Sequence, residues 1–112
     1  MKNKVNILGT EYNILFDVPE EEMPDNADGC MDNSTKTIRI MLLKTDRNSV
    51  QDMEEYKCKV LRHEIIHAFM YESGMWNCSG TAEVWGMDET ITDWFAIQSP
   101  KIFNAFKDVG CL

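Results

Sequence analysis

The strongest constraint on the fold is the stretch from Val50 to Ser73, which contains neither glycine nor proline. Within it Met53, Val60, Leu61, Ile65, Ala68 and Phe69 recur at helical spacing and mark out one apolar face. Ser49 stands where an N-cap belongs, with Asp52 three residues on, and Gly74 stands where a helix stops. The pattern predicts a long helix over about residues 50–73. Such a helix needs a partner for its apolar face, and the preceding segment offers one.

That segment alternates with period two. Asn3 to Leu8 alternates weakly up to Gly9-Thr10, and residues 11–18 resume with Tyr12, Ile14 and Phe16 on one side. Residues 35–43 set Thr37, Arg39 and Met41 against Ile38, Ile40 and Leu42. Between these runs, residues 19–29 (PEEEMPDNADG) are acidic and rich in turn formers, which predicts a solvated loop without calcium-loop spacing. After the long helix comes a loop at 74–80. A second helix follows, capped by Thr81 and running to about Gln98, with Trp94, Phe95 and Gln98 as its core packing. Ser99-Pro100 then opens a short third helix to about Lys107, with Gly110 beyond it. Strands followed by helices predict one α+β domain over residues 1–112: a small N-terminal three-stranded sheet packed on two or three helices.

Charge and composition narrow the functional classes. The chain has 112 residues, 19 acidic and 11 basic, for a net charge of −8. No cluster of Lys and Arg provides the footprint that nucleic acid or an anionic membrane surface requires. The N-terminal sequence MKNKVNILGTEYN carries no signal-peptide pattern, and no apolar run approaches a membrane span. Cys30, Cys58, Cys78 and Cys111 form no C-x-x-C pair. The expectation is a cytoplasmic protein with reduced thiols.

The chemistry lies at His63-Glu64-Ile65-Ile66-His67, an H-E-x-x-H motif that contains the only two histidines. Four residues along a helix is just over one turn, so His63 and His67 share a face and can share one ion. Two neutral imidazoles, a carboxylate and a water suit Zn²⁺. Glu64, rotated about a quarter turn away, is placed beside the ion as general base for its water. A catalytic zinc needs a third protein ligand. Glu89 and Asp93 lie four apart on the second helix, far enough past His67 for the chain to turn back. Glu83 and Cys78 compete with Glu89 for that place.

H-E-x-x-H followed by E-x-x-x-D resembles the gluzincin metallopeptidases. The stretches HEIIHAFMYESG (63–74) and ETITDWFAIQSPKI (89–102) resemble more narrowly the small phage- and prophage-encoded metallopeptidases of the ImmA/IrrE type. The resemblance implies a minimal zincin-like fold and a zinc cofactor. It implies that Glu89 is the third ligand, and that Asp93 lies behind the ligands and orients His63. It also implies a protein or peptide substrate, for instance a phage or host regulatory protein. Gluzincins often add a later His or Tyr to stabilise the oxyanion; after Asp93 this chain has neither, and Tyr71 is more simply a core or rim residue.

The expected function is therefore a zinc metallopeptidase. The alternative is a zinc-stabilised interaction module with little turnover. Residues 37–42 are the candidate edge strand for an extended substrate, and Trp76 or Trp85 for an aromatic rim. Glu72 is expected to be a solvated residue at the helix end.

Overall fold

The computed structural model describes residues 1–44, 51–77 and 88–112. In chain order it contains β1 (Lys4–Ile7), β2 (Thr10–Val18), a 3-10 turn (Glu20–Glu22), β3 (Gly29–Asp32), β4 (Thr37–Met41), α1 (Met53–Glu72), a second 3-10 turn (Met75–Asn77) and α2 (Glu89–Asp108). The class is α+β, as expected. The sheet has four strands in the order β1-β2-β4-β3, where three were expected.

β1 and β2 form a hairpin through Leu8 and Gly9. Both have positive φ, 51° and 93°, as a two-residue turn matching strand twist requires. Asn6 Oδ1 accepts the Gly9 N–H at 2.9 Å and fixes the turn. The alternation in β2 then buries Tyr12, Ile14 and Val18. β2 pairs in parallel with β4, Ile14 opposite Ile38, and β4 pairs antiparallel with β3, Met31 opposite Ile38. β4 is thus an interior strand whose Ile38 and Ile40 are fully buried. This corrects its expected role as an edge: both of its edges are taken, and among the described residues the outer strands are β1 and β3.

α1 covers the sheet, with Val60 and Ala68 completing a core of Ile7, Tyr12, Ile14, Ile38 and Ile40. Its N-cap is Asp52, whose side chain accepts the Glu55 N–H at 3.1 Å. The expected cap, Ser49, lies outside the described residues, as does Thr81. At its other end Gly74 takes φ 87°. Glu72 is not solvated. It accepts Lys36 Nζ at 2.7 Å and the buried Tyr12 hydroxyl at 3.0 Å, tying the end of α1 to β2 and to the β3–β4 turn. Burial and the Glu72 carboxylate together push the Tyr12 hydroxyl well above the usual phenol range.

α2 runs unbroken through Pro100, where two helices were expected. Proline cannot donate to the carbonyl four residues back, so the Ala96 oxygen should be orphaned. Arg62 of α1 donates its Nε–H to that oxygen at 2.5 Å. The acceptor is satisfied from outside and the helix continues. The face of α2 toward α1 consists of small residues, Thr92, Ala96 and Ser99, all buried. This corrects the expected core role of Trp94, which is 58% exposed, while Phe95 and Gln98 are half-buried. Among the described residues no helix is long and apolar enough to cross a membrane. Cys30, Cys58 and Cys111 are free thiols, and Cys78 lies outside the described residues.

The Pro100 account gives a double-mutant test. Arg62→Met should cost about 1.5–3 kcal/mol, the value of a charge-assisted hydrogen bond to a buried carbonyl. In a Pro100→Ala background the backbone N–H restored at position 100 takes over the Ala96 oxygen, and the penalty should shrink by about 1 kcal/mol. Urea unfolding of the four proteins measures this. Additive penalties would show that Arg62 does not serve the proline gap.

Candidate metal centre

Helical spacing on α1 stacks His63 over His67, with Nε2 atoms 3.1 Å apart. The first residue of α2 brings a carboxylate between them. Glu89 Oε1 lies 3.0 Å from His67 Nε2, and Glu89 Oε2 lies 3.0 Å from His63 Nε2. These three side chains form a group able to hold a metal ion among the described residues. The histidines are buried, while the Glu89 side chain is 70% exposed, so the group opens to solvent on its carboxylate side.

One helical turn beyond Glu89, Asp93 Oδ1 lies 2.8 Å from His63 Nδ1 and accepts Lys59 Nζ at 2.9 Å. Burial raises the Asp93 pKa, but the bonds from Lys59 and His63 outweigh it and hold the carboxyl below its usual range. Asp93 is therefore ionised and accepts only, so His63 Nδ1 carries the proton. With that proton alone on the ring, Nε2 presents a lone pair 3.0 Å from a Glu89 carboxylate oxygen. Two acceptors at hydrogen-bond distance need a cation between them, either a proton or a metal. Donors 2.0–2.1 Å from a tetrahedral zinc lie about 3.3–3.4 Å apart. The observed 3.0–3.1 Å separations fall a few tenths of an ångström short of that, within easy side-chain adjustment. The donor set, two imidazoles and one carboxylate, suits zinc.

Glu64 lies beside this group, buried between α1 and the free edge of β3. A Cβ built on Gly29 would stand 2.8 Å from Val60 Cγ1 and 3.0 Å from both Cγ and Oε2 of Glu64. Burial raises the Glu64 pKa to about 7. His63 and a hydrogen bond from the Met31 backbone N–H oppose that rise, whereas the Glu89 and Asp93 charges add to it. A carboxylate with a pKa near neutrality can take up a proton and return it.

β3 is fastened to α1 at both ends. Tyr56 of α1 donates its hydroxyl to Asp28, just ahead of β3, which pushes the phenol up to about 12. Beyond the strand, Lys36 reaches Glu72. Two cavities flank Glu64 along this edge and share Ala27, Gly29, His63 and Glu89. One, of about 300 Å³, is polar and bordered by Tyr56, Lys59 and Asp93. The other, of about 290 Å³, is more apolar and bordered by Met31, His67 and Trp76.

His63, Glu64, His67, Glu89 and Asp93 thus meet at one place. Glu83, Cys78 and Trp85 lie outside the described residues. Tyr71 packs edge-on against Trp76, ring centroids 5.5 Å apart, and borders neither cavity. The residues that sequence reasoning missed are Gly29, Met31, Tyr56 and Lys59. Only Gly29 left a signal, as the glycine closing the Asp28-Gly29 turn. In comparison with known proteins, the chain matches no family model, no curated protein and no solved structure.

Two predictions concern the metal-free protein. A buried acid with a raised folded pKa stabilises below its unfolded pKa, and that stability is lost as pH rises toward 7. Glu64→Gln removes the penalty. It should leave stability nearly unchanged at pH 4 and raise it by roughly 2–3 kcal/mol at pH 8. Equal effects at the two pH values in urea unfolding would count against a desolvated Glu64. Gly29→Ala would ordinarily gain a few tenths of a kcal/mol from the unfolded chain. Here overpacking against Val60 and Glu64 should reverse the sign, to a loss of about 1–3 kcal/mol by the same assay.

Proposed function

We propose that this chain is a zinc-dependent metallopeptidase in which His63, His67 and Glu89 hold the ion and Glu64 is the general base. The observation that carries the reading is the convergence of two imidazoles, with Nε2 atoms 3.1 Å apart, and a carboxylate that sets one oxygen 3.0 Å from each, beside a second, buried carboxylate. The resemblance of HEIIHAFMYESG and ETITDWFAIQSPKI to the ImmA/IrrE-type peptidases supports it, and with it a minimal zincin-like arrangement.

Zinc, when bound, supplies Lewis acidity, which polarises a carbonyl and acidifies water. The rest falls to the chain. Asp93 holds the His63 tautomer, and Lys59 keeps Asp93 charged. Met31 N–H aims the Glu64 carboxylate while desolvation sets its affinity for a proton. Glu64 accepts a proton from the attacking water and passes it to the leaving amine.

The substrate is a protein segment in extended form, lying along the outer edge of β3. Met41 N–H bonds the Asp28 carbonyl, so residue 28 turns toward β4. By strand alternation residues 29 and 31 turn their backbone groups outward, and Met31 N–H meets Glu64 on that side. A peptide can add there by backbone pairing. A regulatory protein of a phage or its host, in the cytoplasm, fits the resemblance.

The decisive measurement is zinc content by elemental analysis, joined to cleavage of a denatured-protein and peptide panel. Wild type should carry one zinc and cut. Glu64→Gln should keep the zinc and lose cutting, and Glu89→Ala should bind zinc at least tenfold more weakly. Affinity should fall from pH 7 to pH 5, because ligating imidazoles must be neutral. Zinc retained with no cleavage by either protein would favour the interaction module. Absence of zinc binding would end the reading.

A further inference from the structure

The cavity on the His67 side is bordered by a side chain with no role so far. Trp76 borders it together with His63, Glu64, His67, Glu89 and Met31. Its indole Nε1 is buried and has no hydrogen-bond partner, alone in this respect among the described side chains. A buried N–H without an acceptor costs free energy, and native structures rarely leave one without a reason. Nor is the ring loosely held. It sits in the turn directly after α1, edge-on to Tyr71 of the same helix that carries the histidines.

Of the other donors around this cavity, the Met31 N–H bonds Glu64 and the Ala27 N–H bonds the Pro24 carbonyl. On the opposite side Lys59 bonds Asp93 and Tyr56 bonds Asp28. An amide bound at the metal centre brings a carbonyl oxygen that gains negative charge as water adds, and such an oxygen calls for a preorganised donor. No His or Tyr follows Asp93 to provide one.

We propose that the Trp76 indole N–H donates a hydrogen bond to the carbonyl oxygen of a ligand bound at the metal centre. This rests on the metallopeptidase reading and deepens it. The N–H is shielded from water in the resting protein, so an entering carbonyl must part the packing over it. The bond then recovers what its burial costs. A tryptophan fits the task because an indole N–H donates and never accepts, so it takes up a carbonyl oxygen but gives nothing to a competing donor.

The test uses acetohydroxamate as the probe, with ¹⁵N-labelled protein. Zinc stoichiometry is measured first. The Trp76 indole resonance is assigned as the one absent from Trp76→Phe and present in both Trp85→Phe and Trp94→Phe. In the zinc-loaded protein it should move downfield on adding acetohydroxamate, and in the metal-free protein it should not. Trp76→Phe keeps the stack on Tyr71 and should bind zinc as wild type does, but acetohydroxamate about tenfold more weakly. Should Trp76→Phe fail to fold, the wild-type resonance, assigned by the other two variants, decides alone. An unmoved resonance with acetohydroxamate bound, or equal affinity in Trp76→Phe, overturns this proposal and leaves the metal centre standing. Failure to take up zinc overturns the metal reading and this proposal with it, whereas a zinc-loaded protein that does not bind the probe overturns this proposal alone.

Discussion

The close approach of β3 to α1 at Gly29 governs the rest of the structure. Any side chain at that position would strike Val60 and Glu64, so the separation of strand and helix is set by the absence of one methyl group. Two polar ties keep it there, Tyr56 with Asp28 at one end of the strand and Lys36 with Glu72 at the other. Between them the Glu64 carboxylate is pressed out of water, and its raised pKa follows directly. The strand that confines Glu64 also presents its unpaired edge to solvent. The same geometry therefore sets the proton affinity of Glu64 and leaves the strand edge beside it unpaired among the described residues.

Charge at the site is arranged by position, not by amount. The protein is acidic overall, and three carboxylates, Glu64, Glu89 and Asp93, crowd two histidines. Each has a different answer to its own repulsion. Asp93 bonds Lys59 and His63. Glu89 begins α2, where the partial positive charge of a helix N-terminus favours it, and it keeps most of its side chain in water. Glu64 is buried, with the Met31 N–H and His63 too weak to offset the desolvation, so it holds its proton toward neutral pH. A divalent cation among the lone pairs would relieve all three at once, and the acid-rich sequence is consistent with that need.

Legibility from sequence follows how local each determinant is. His63, Glu64 and His67 are legible because helical period alone fixes their relation, and Glu89 with Asp93 because the same spacing recurs. β3 is hidden: it has four residues, starts at a glycine and follows Asp25-Asn26-Ala27-Asp28, so turn chemistry masks it. Without β3, the pattern makes β4 an edge. The break expected at Pro100 fails for a tertiary reason, since the acceptor that proline strands is met by Arg62, 34 residues earlier in sequence. Glu72 differs from expectation likewise, its partners Lys36 and Tyr12 lying 36 and 60 residues away. Trp94 and Phe95 look like core by helical spacing, yet the buried positions of α2 are the small residues Thr92, Ala96 and Ser99.

That contact has a consequence for the centre itself. The two histidines come from α1 and the third donor from α2, so the group exists only while the helices are in register. Along α2, Glu89 and Asp93 share one face at a spacing of four, and Thr92, Ala96 and Ser99 share the neighbouring face that meets α1. The small face decides how near α2 lies, and the acidic face inherits the distance. Arg62 sits one residue before His63 and bonds the Ala96 carbonyl, within the contact itself. It therefore joins the backbone of α2 to the helix turn that bears the first histidine. The residue that meets the acceptor left by Pro100 thus joins the His63–Asp93 and Lys59–Asp93 bonds in tying α2 to α1, and Glu89 lies within 3.0 Å of both imidazoles in that arrangement.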